Sequence, residues 1–348
     1  MSTLPDRRAR TGCSRSDFLR SLAVTGAGAL ALTPNRVAGA DAPASLRPGP
    51  AVSGSQRRWR TAFGLNGFQS SEQVFKLTFP LWEVLEFAQQ EGFEGIELVP
   101  DWVKGFYPDP KDDRRIRSLR DLFARYNVKV FSIQTSGQEA FQADRAVRAA
   151  WGERCRGGAE VARKLGGECG GFWPGGGLGG QTLDQGIESL AWSLREMGRI
   201  VTDAELLLSV EIEPPFVFNR IEHLIRILDA TDHPRVKGMF DPSHFDLMSG
   251  SRGKPHELLE QLGVQRVGYV HFTDTDGTIF NGTSKHLPAG DGHIDVARAL
   301  EVLWQGGYEG WIMVDPWMTP DPYDACRKGR LAIEGARRRL TGRTRNAE

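Results

Sequence analysis

The sequence predicts an α/β fold of the (β/α)8 type, a TIM barrel, over residues 61–340. Short apolar or β-branched runs alternate along this stretch with longer runs that carry apolar residues at helical spacing. Between Leu190 and Val201, for example, apolar residues recur at steps of three and four and define one helix face. Eight such strand–helix pairs in about 280 residues are typical of this barrel. An open doubly wound sheet is the alternative, but no glycine-rich phosphate turn leads from the first strand into a helix.

Each predicted strand is a short run that is mostly apolar, as expected of strands covered on both faces. In chain order these runs are Thr61–Asn66, Gly95–Val99, Val128–Gln134, Glu168–Trp173, Glu205–Glu213, Val236–Asp241, Arg266–Thr273 and Gly310–Asp315. Helices are predicted between and after them, near residues 80–91, 112–126, 141–165, 183–202, 220–231, 255–263, 294–305 and 321–340. The glycine-rich stretch Gly170–Gly180 has no Lys-Ser/Thr pair and is interpreted as a flexible loop over the barrel mouth.

The composition excludes several classes of protein. The 348 residues include 44 Lys+Arg and 44 Asp+Glu, so no net positive charge favours nucleic acid as a partner. Hydrophobic residues make up 40% and charged residues 25%, the balance of a soluble globular domain. Beyond the first residues, no apolar run reaches the roughly 18 residues that span a bilayer. The four cysteines have no metal-like spacing, so neither a zinc site nor a disulfide framework is predicted from them.

Residues 1–40 have the order of an export signal: a basic region, an apolar run and the small-residue site Ala38-Gly-Ala40. The segment Ser14–Arg20 resembles a twin-arginine signal, with Ser16 in place of the second arginine. An amphipathic N-terminal helix is the alternative. Residues 41–60 read as a linker and residues 341–348 as a C-terminal tail. This pattern predicts an exported, periplasmic protein whose mature domain does not span the membrane.

Acidic residues and histidines stand at the ends of several predicted strands, where a TIM barrel builds its active site. They are Glu97, Glu211, Glu213, Asp241, His244, His271, Asp274 and Asp315. Carboxylates crowded into one mouth repel one another unless a cation neutralises them. Three carboxylates and one imidazole suit Mn²⁺, Mg²⁺ or Co²⁺, with Zn²⁺ as a further candidate. The sequence therefore predicts a divalent metal site at the barrel mouth.

Several motifs in one order resemble the sugar phosphate isomerase/epimerase family, whose barrel is xylose-isomerase-like. The motifs are Gly92–Glu97, Val210–Pro214, Met239–His244, Val270–Asp274, His286–Asp295 and Gly310–Asp315. The resemblance covers roughly residues 61–340 and implies a divalent metal held by residues of the last four strands. It implies Glu213, Asp241 and His271 as ligands, and Asp315 as the fourth, where the family usually has Glu. Glu211 is the alternative to Glu213, because a two-residue period places both on one side of a strand.

Further side chains near the strand ends are predicted to bind substrate, although packing roles are an alternative for each. His244 and His286 are candidates for substrate hydroxyl groups, and Glu97 could orient substrate or pair with a barrel arginine. Four aromatic residues could stack on a sugar face or belong to the core: Trp102, Phe106, Trp173 and Trp317.

The resemblance implies an isomerase or epimerase that acts on a small-molecule carbohydrate or polyol by proton abstraction through an enediolate. Glu213 and Asp315 are then the catalytic groups on opposite faces of the substrate. Because Asp315 is one methylene shorter than the usual Glu, a lyase or dehydratase acting on a keto-sugar or keto-glycoside is the alternative. An endonuclease IV-like phosphodiesterase, which needs many histidines, and a non-catalytic sugar-binding barrel are less favoured. A homo-oligomer is compatible with the sequence.

Overall fold

Eight parallel strands form a closed barrel in the computed structural model, which describes residues 59–99, 109–248 and 252–345. The barrel strands are β1 (Arg60–Gly64), β2 (Gly95–Leu98), β3 (Lys129–Ser136), β4 (Cys169–Trp173), β5 (Leu207–Val210), β6 (Val236–Phe240), β7 (Val267–Phe272) and β10 (Trp311–Val314). Between β7 and β10, the short strands β8 (Ile279–Phe280) and β9 (Thr283–Ser284) form an antiparallel hairpin. The order around the barrel is β1-β10-β7-β6-β5-β4-β3-β2, so the pairing of β1 with β10 closes it. The predicted barrel is confirmed.

Ten α-helices are described, and most of them surround the barrel. They are α1 (Leu65–Phe75), α2 (Leu81–Glu91), α3 (Asp113–Arg125), α4 (Arg145–Lys164), α5 (Leu183–Asp203), α6 (Ile221–Thr231), α7 (Pro242–Leu247), α8 (Pro255–Leu262), α9 (Val296–Gln305) and α10 (Pro322–Arg345). Short polar side chains begin several of them: Asp112, Asp144 and Asp295 each accept a hydrogen bond from a first-turn backbone N–H. Thr182 and Gln185 form a reciprocal capping box at the start of α5.

The structure differs from the sequence prediction at several boundaries. β1 ends at Gly64 and helix α1 follows at once, where a strand was predicted up to Asn66. β5 ends at Val210, three residues before the predicted end, and the following residues lead into two prolines that cannot donate to a sheet. Helix α10 continues to Arg345, past the predicted end of the barrel domain at residue 340. Helices α1 and α7 and the β8–β9 hairpin were not predicted.

Some of the predicted features lie outside the described residues. These are the export signal 1–40, residues 41–58 of the linker, and the aromatic residues Trp102 and Phe106. Among the residues that the structure does describe, no helix combines the length and the apolar character that crossing a bilayer demands.

The N-terminal end of the barrel interior is filled by aromatic rings and one charged cluster. Trp311 stacks on Phe131 with ring centroids 4.6 Å apart, and the Arg60 guanidinium lies 4.2 Å from the Trp311 ring. Glu168 accepts hydrogen bonds from Arg60 at 2.7 Å, from Trp311 at 3.1 Å and from Lys129. Burial alone would raise the pKa of Glu168, but these hydrogen bonds outweigh it and lower the pKa to about 2.

We expect Glu168→Gln to destabilise the barrel at neutral pH and to matter less in acid. The folded-state pKa is depressed from 4.5 to about 2, so the charge contributes stability above pH 4.5 that is lost as the pH falls towards 2. Because the side chain is 34% exposed and solvent screens it, the expected decrease in melting temperature at pH 7 is only roughly 2–4 °C. Thermal unfolding from pH 7 down to pH 3 measures it.

Glu196→Gln is the matched control, because Glu196 pairs with Arg199 on an exposed helix surface. Its melting temperature should follow the wild type at every pH. A difference between wild type and Glu168→Gln that stays constant from pH 7 to pH 3 would contradict the assignment.

Candidate functional site

Most of the candidate residues are buried at the C-terminal end of the barrel. Glu97 and His271 belong to strands β2 and β7, Glu211 follows β5, and Asp241 and Asp315 follow β6 and β10. None of the five side chains is more than 1% exposed. Burying this many ionisable groups is costly unless they pair with one another or with a cation. The arrangement therefore needs a positive partner.

Four of these residues converge on one point. The group consists of Glu211, Asp241, His271 and Asp315, and one potential ligand atom from each lies within 4.8 Å of all the others. His271 Nδ1 is 3.0 Å from Glu211 Oε1 and 3.6 Å from Asp315 Oδ2. Three carboxylates and an imidazole at these separations could hold one divalent cation.

The structure favours the alternative for the first member of the predicted ligand set. Glu211, the alternative, joins the group, and Glu213 does not. The two-residue period that placed both on one side does not apply, because β5 has already ended at Val210. Glu213 instead accepts a hydrogen bond from the Thr283 hydroxyl of β9, and its Oε2 lies 3.9 Å from His244 Nε2.

Neighbouring groups hold two of the carboxylates in place. Gln134 at the end of β3 donates a hydrogen bond of 2.7 Å to Glu211 Oε2. Asp241 is the N-cap of α7: its Oδ1 accepts from the Ser243 backbone N–H at 2.8 Å and from the Ser243 hydroxyl at 2.7 Å. The cap occupies Oδ1 and leaves Oδ2 directed at the cluster, 3.6 Å from His244 Nε2.

Glu97 lies deeper in the barrel than predicted. Its Oε1 is 3.1 Å from His271 Nε2, and its Oε2 accepts a hydrogen bond from the Tyr269 hydroxyl. Its partners are thus a histidine and a tyrosine of β7, not a barrel arginine, and both oxygens have partners inside the barrel. Glu97 thus contacts a member of the four-residue group, and its role in substrate binding stays a prediction.

His244 and His286 face the same space as Asp241. His244 Nδ1 is 2.7 Å from the Ser284 hydroxyl, and His286 Nδ1 is 3.3 Å from the Asp315 carbonyl oxygen. The two rings are 5.5 Å apart, and His244 Nε2 lies 3.3 Å from Glu211 Oε1 and 3.6 Å from Asp241 Oδ2. His286 Nε2 has no hydrogen-bond partner among the described residues and points to a ligand with hydroxyl groups.

The carboxylates change the protonation of the histidines they surround. Burial lowers the pKa of His244, but three neighbouring carboxylates outweigh it and raise the pKa to about 9. The pKa of His271 is also raised: burial lowers it, and Glu211 and Glu97 together outweigh burial. The site thus favours positive charge on both rings. A cation bound beside the carboxylates would supply this positive charge in place of the ring protons.

The two described tryptophans predicted to stack on sugar are nearly completely buried. Trp317, two residues after Asp315, is 3% exposed. Trp173 packs edge-on against Phe216 with centroids 4.9 Å apart. A core role for Trp173 agrees with this packing, and sugar stacking by Trp317 stays a prediction.

The sequence analysis missed Gln134, Tyr269, Thr283 and Ser284. Gln134 ends a predicted strand, so the criterion of polar residues at strand ends could have found it. Tyr269 stands two residues before His271, and the two-residue period would have placed both in the barrel interior. Thr283 and Ser284 follow Asn281-Gly282, the two-residue turn of the β8–β9 hairpin, and this pair is a signal that could have found the hairpin.

Comparison with known proteins supports the same barrel. Residues 85–337 match the model of a family described as "Xylose isomerase-like TIM barrel". An inosose dehydratase of Clostridium botulinum (strain Eklund 17B / Type B) is 26% identical over 161 residues, which are 42% of this chain and 53% of that protein. The L-ribulose-5-phosphate 3-epimerase UlaE of Escherichia coli O157:H7 (strain EC4115 / EHEC) is 27% identical over 139 residues, 39% of this chain and 46% of that protein. The chain spans about half the length of these curated relatives.

A solved structure described as the IOLI protein with a binding zinc atom has the same fold. It superimposes with a TM-score of 0.62 at 17% identity and covers 80% of this chain and 96% of that one.

The new assignment at β5 predicts that two neighbouring glutamates behave differently. We expect Glu211→Gln to weaken Mn²⁺ binding by about 100-fold or more, since loss of an outer partner of a ligand already costs 10–100-fold. Glu213→Gln should bind Mn²⁺ as the wild type does. Isothermal titration calorimetry on the metal-free protein measures both, and the reverse pattern would restore Glu213 as the ligand.

Proposed function

Because the chain belongs to the xylose isomerase-like TIM barrel family, we propose that it is a divalent-metal-dependent carbohydrate isomerase or epimerase. The observation that carries this proposal is the convergence of Glu211, Asp241, His271 and Asp315 within 4.8 Å at the barrel mouth. The epimerase relative and the position of the cluster at the strand ends support it. The substrate class we propose is a small sugar, keto-sugar or polyol.

The residues at the mouth fit a divalent cation. Three carboxylates repel one another in a buried site, and Asp241 Oδ2 has no hydrogen-bond partner among the described residues. When bound, such an ion would polarise a carbonyl or hydroxyl oxygen of the substrate. The mainly oxygen donor set favours Mn²⁺, Mg²⁺ or Co²⁺, and the zinc atom bound to the structural relative keeps Zn²⁺ as a candidate.

Glu213 is the group we propose for proton transfer. The four-residue group does not include Glu213, which supports a role for this carboxylate other than that of a ligand. It lies beside His244 at 3.9 Å and accepts a hydrogen bond from Thr283, which fixes one oxygen. Glu213 would remove the proton from the carbon next to the substrate carbonyl, giving an enediolate. Asp315 would serve the opposite face.

His244 and His286 are proposed to hold the substrate hydroxyl groups. Both Nε2 atoms are buried and face the cluster: that of His244 lies 3.3 Å from Glu211 Oε1, and that of His286 has no hydrogen-bond partner among the described residues. Ser284 and the Asp315 carbonyl fix the other nitrogen of each ring, so both rings are already oriented before a substrate arrives.

A dehydratase is the second candidate, and Asp315 is the observation that favours it. An epimerase needs acid/base groups on both faces of the substrate, and a residue one methylene shorter than the family's Glu weakens the second face. A β-elimination needs one base next to a carbonyl and one acid for the leaving hydroxyl, for which Glu213 and a protonated His244 would suffice. The inosose dehydratase relatives support this alternative.

The other two candidates have less support. An endonuclease IV-like centre needs additional histidines. His223 and His256 lie on helices α6 and α8, outside both the four-residue group and the second possible metal-binding group, which is Asp241, His244 and His286. A sugar-binding barrel without catalysis would not require a base beside the cluster.

Metal analysis of purified protein, followed by incubation with candidate sugars in deuterated water, tests the proposed function. We expect about one divalent ion per chain and solvent deuterium in the recovered sugar. Protein that binds none of Mn²⁺, Mg²⁺, Co²⁺ and Zn²⁺ would contradict the proposal.

Glu213→Gln is expected to reduce deuterium exchange and turnover by about 10²–10⁴-fold while metal stays bound, since the amide cannot take up the proton. Asp315→Glu separates the two candidates. In an epimerase the longer carboxylate should be tolerated or should increase turnover, whereas in a dehydratase adapted to Asp turnover should decrease with metal still bound. NMR for deuterium and mass spectrometry for loss of water provide the measurements. Unchanged exchange in Glu213→Gln would exclude it as the base.

We propose export to the periplasm from the N-terminal sequence pattern alone. Sequencing of protein isolated from its native cell is expected to give an N-terminus near Asp41, after the Ala38-Gly-Ala40 site. Ala40→Phe should block cleavage and leave the precursor in the cell. Mature protein that begins at Met1 or Ser2 would contradict export.

A further inference from the structure

Glu97 is a fully buried carboxylate whose two contacts lie within the barrel interior. The neighbours of its strand β2 are β1 and β3, so Glu97 reaches across the barrel to residues of β7. There it accepts a hydrogen bond from the Tyr269 hydroxyl on Oε2, and its Oε1 lies 3.1 Å from His271 Nε2. The Ser132 hydroxyl in turn donates to the Tyr269 oxygen at 3.2 Å. A row of polar side chains thus leads from β3 to His271.

The chemistry of a carboxylate determines what His271 can do. An ionised carboxylate only accepts hydrogen bonds, so the ring nitrogen that faces Glu97 must carry a proton. In a neutral imidazole the other nitrogen, Nδ1, then has the free lone pair. Nδ1 is the nitrogen that lies 3.0 Å from Glu211 Oε1 and 3.6 Å from Asp315 Oδ2. Glu211 is an acceptor as well, so Nδ1 also carries a proton without a cation, and a bound cation would displace that proton and take the lone pair.

We infer that Glu97 is a positioning residue, which fixes the tautomer and the ring orientation of His271 for metal binding, and that Tyr269 orients Glu97. This inference rests on the proposed metal centre and goes beyond it, since Glu97 itself is directed away from the ion. Glu97 acts through His271, much as Gln134 acts through Glu211. Loss of Glu97 should therefore reduce metal affinity without removing a ligand.

The experiment compares Mn²⁺ affinity, measured by calorimetry on the full chain, in four variants. Glu97→Leu removes both acceptor oxygens. Glu97→Gln keeps the shape of the side chain but replaces one of the two acceptor oxygens with an NH₂ donor. Tyr269→Phe leaves Glu97 in place and removes only its hydroxyl donor. Glu168→Gln is the matched control: it also neutralises a glutamate of the barrel interior, but at the end where Arg60 and Trp311 lie.

We expect Mn²⁺ affinity to decrease by about 10–100-fold in Glu97→Leu, by about 10-fold in Glu97→Gln and by less in Tyr269→Phe. The affinity of Glu168→Gln should match the wild type even though its melting temperature is lower. A purely structural role for Glu97 would lower stability in the same way as Glu168→Gln and leave metal affinity unchanged.

NMR of the histidine nitrogens provides a second measurement, which reports where the His271 ring carries its proton. In Mg²⁺-loaded wild type this proton should be on Nε2, and His271→Gln identifies the signals. In Glu97→Leu at the same Mg²⁺ concentration, the signal of the ring protonated on Nε2 should be weaker or absent.

The outcomes separate the two proposals. If wild type binds Mn²⁺ and folded Glu97→Leu binds it equally well with the proton still on Nε2, the role of Glu97 is refuted while the metal centre stands. If wild type binds none of the four divalent ions, the metal centre fails and the role of Glu97 fails with it. If Glu97→Leu does not fold, Glu97→Gln and Tyr269→Phe decide by the same criteria.

Discussion

Crowding of buried negative charge at one end of the barrel is the constraint on which the rest of the site depends. Five carboxylates lie there within reach of three histidines, and all of these side chains are almost completely buried. In a medium that solvates charge poorly, such groups stay ionised only beside positive partners. Imidazoles with raised pKa values supply this charge in part, and a divalent ion would supply more. Packing alone thus shows that these residues could hold a cation, before any relative is considered.

The local structure serves this constraint because single side chains have two tasks. Asp241 begins helix α7 with one oxygen and presents the other to the cluster, so the helix cap and the candidate ligand are set by one rotamer. In strand β7 the alternation of side chains places both Tyr269 and His271 in the barrel interior, one layer apart. The hairpin after β7 adds Thr283 and Ser284 to Glu213 and His244. A change in any of these backbone features would misplace at least one functional group.

The sequence predicts the barrel well because strand and helix periodicity are local properties. It also predicts Asp241, His271 and Asp315 as members of one cluster, since the C-terminal ends of parallel barrel strands meet at one mouth. It does not separate Glu211 from Glu213 after β5, because alternation holds only inside a strand and the strand ends at Val210. The partners of Glu97 depend on packing across the barrel, which no local pattern encodes. The hairpin itself has a local signal in Asn281-Gly282, but the contacts of Thr283 with Glu213 and of Ser284 with His244 join residues far apart in the chain.

Glutamate side chains have different partners at the two ends of the barrel interior. Glu168 at the N-terminal end is paired with Arg60 and Lys129, which are charged at neutral pH, and these contacts lower its pKa. Glu97 and Glu211 at the other end are paired with histidines, whose charge can be exchanged for a metal ion or a substrate proton. Fixed cations hold the base of the barrel together whatever is bound. The histidines at the mouth can lose a proton when another positive group binds there. The N-terminal end of the barrel is therefore suited to stability and the C-terminal end to chemistry.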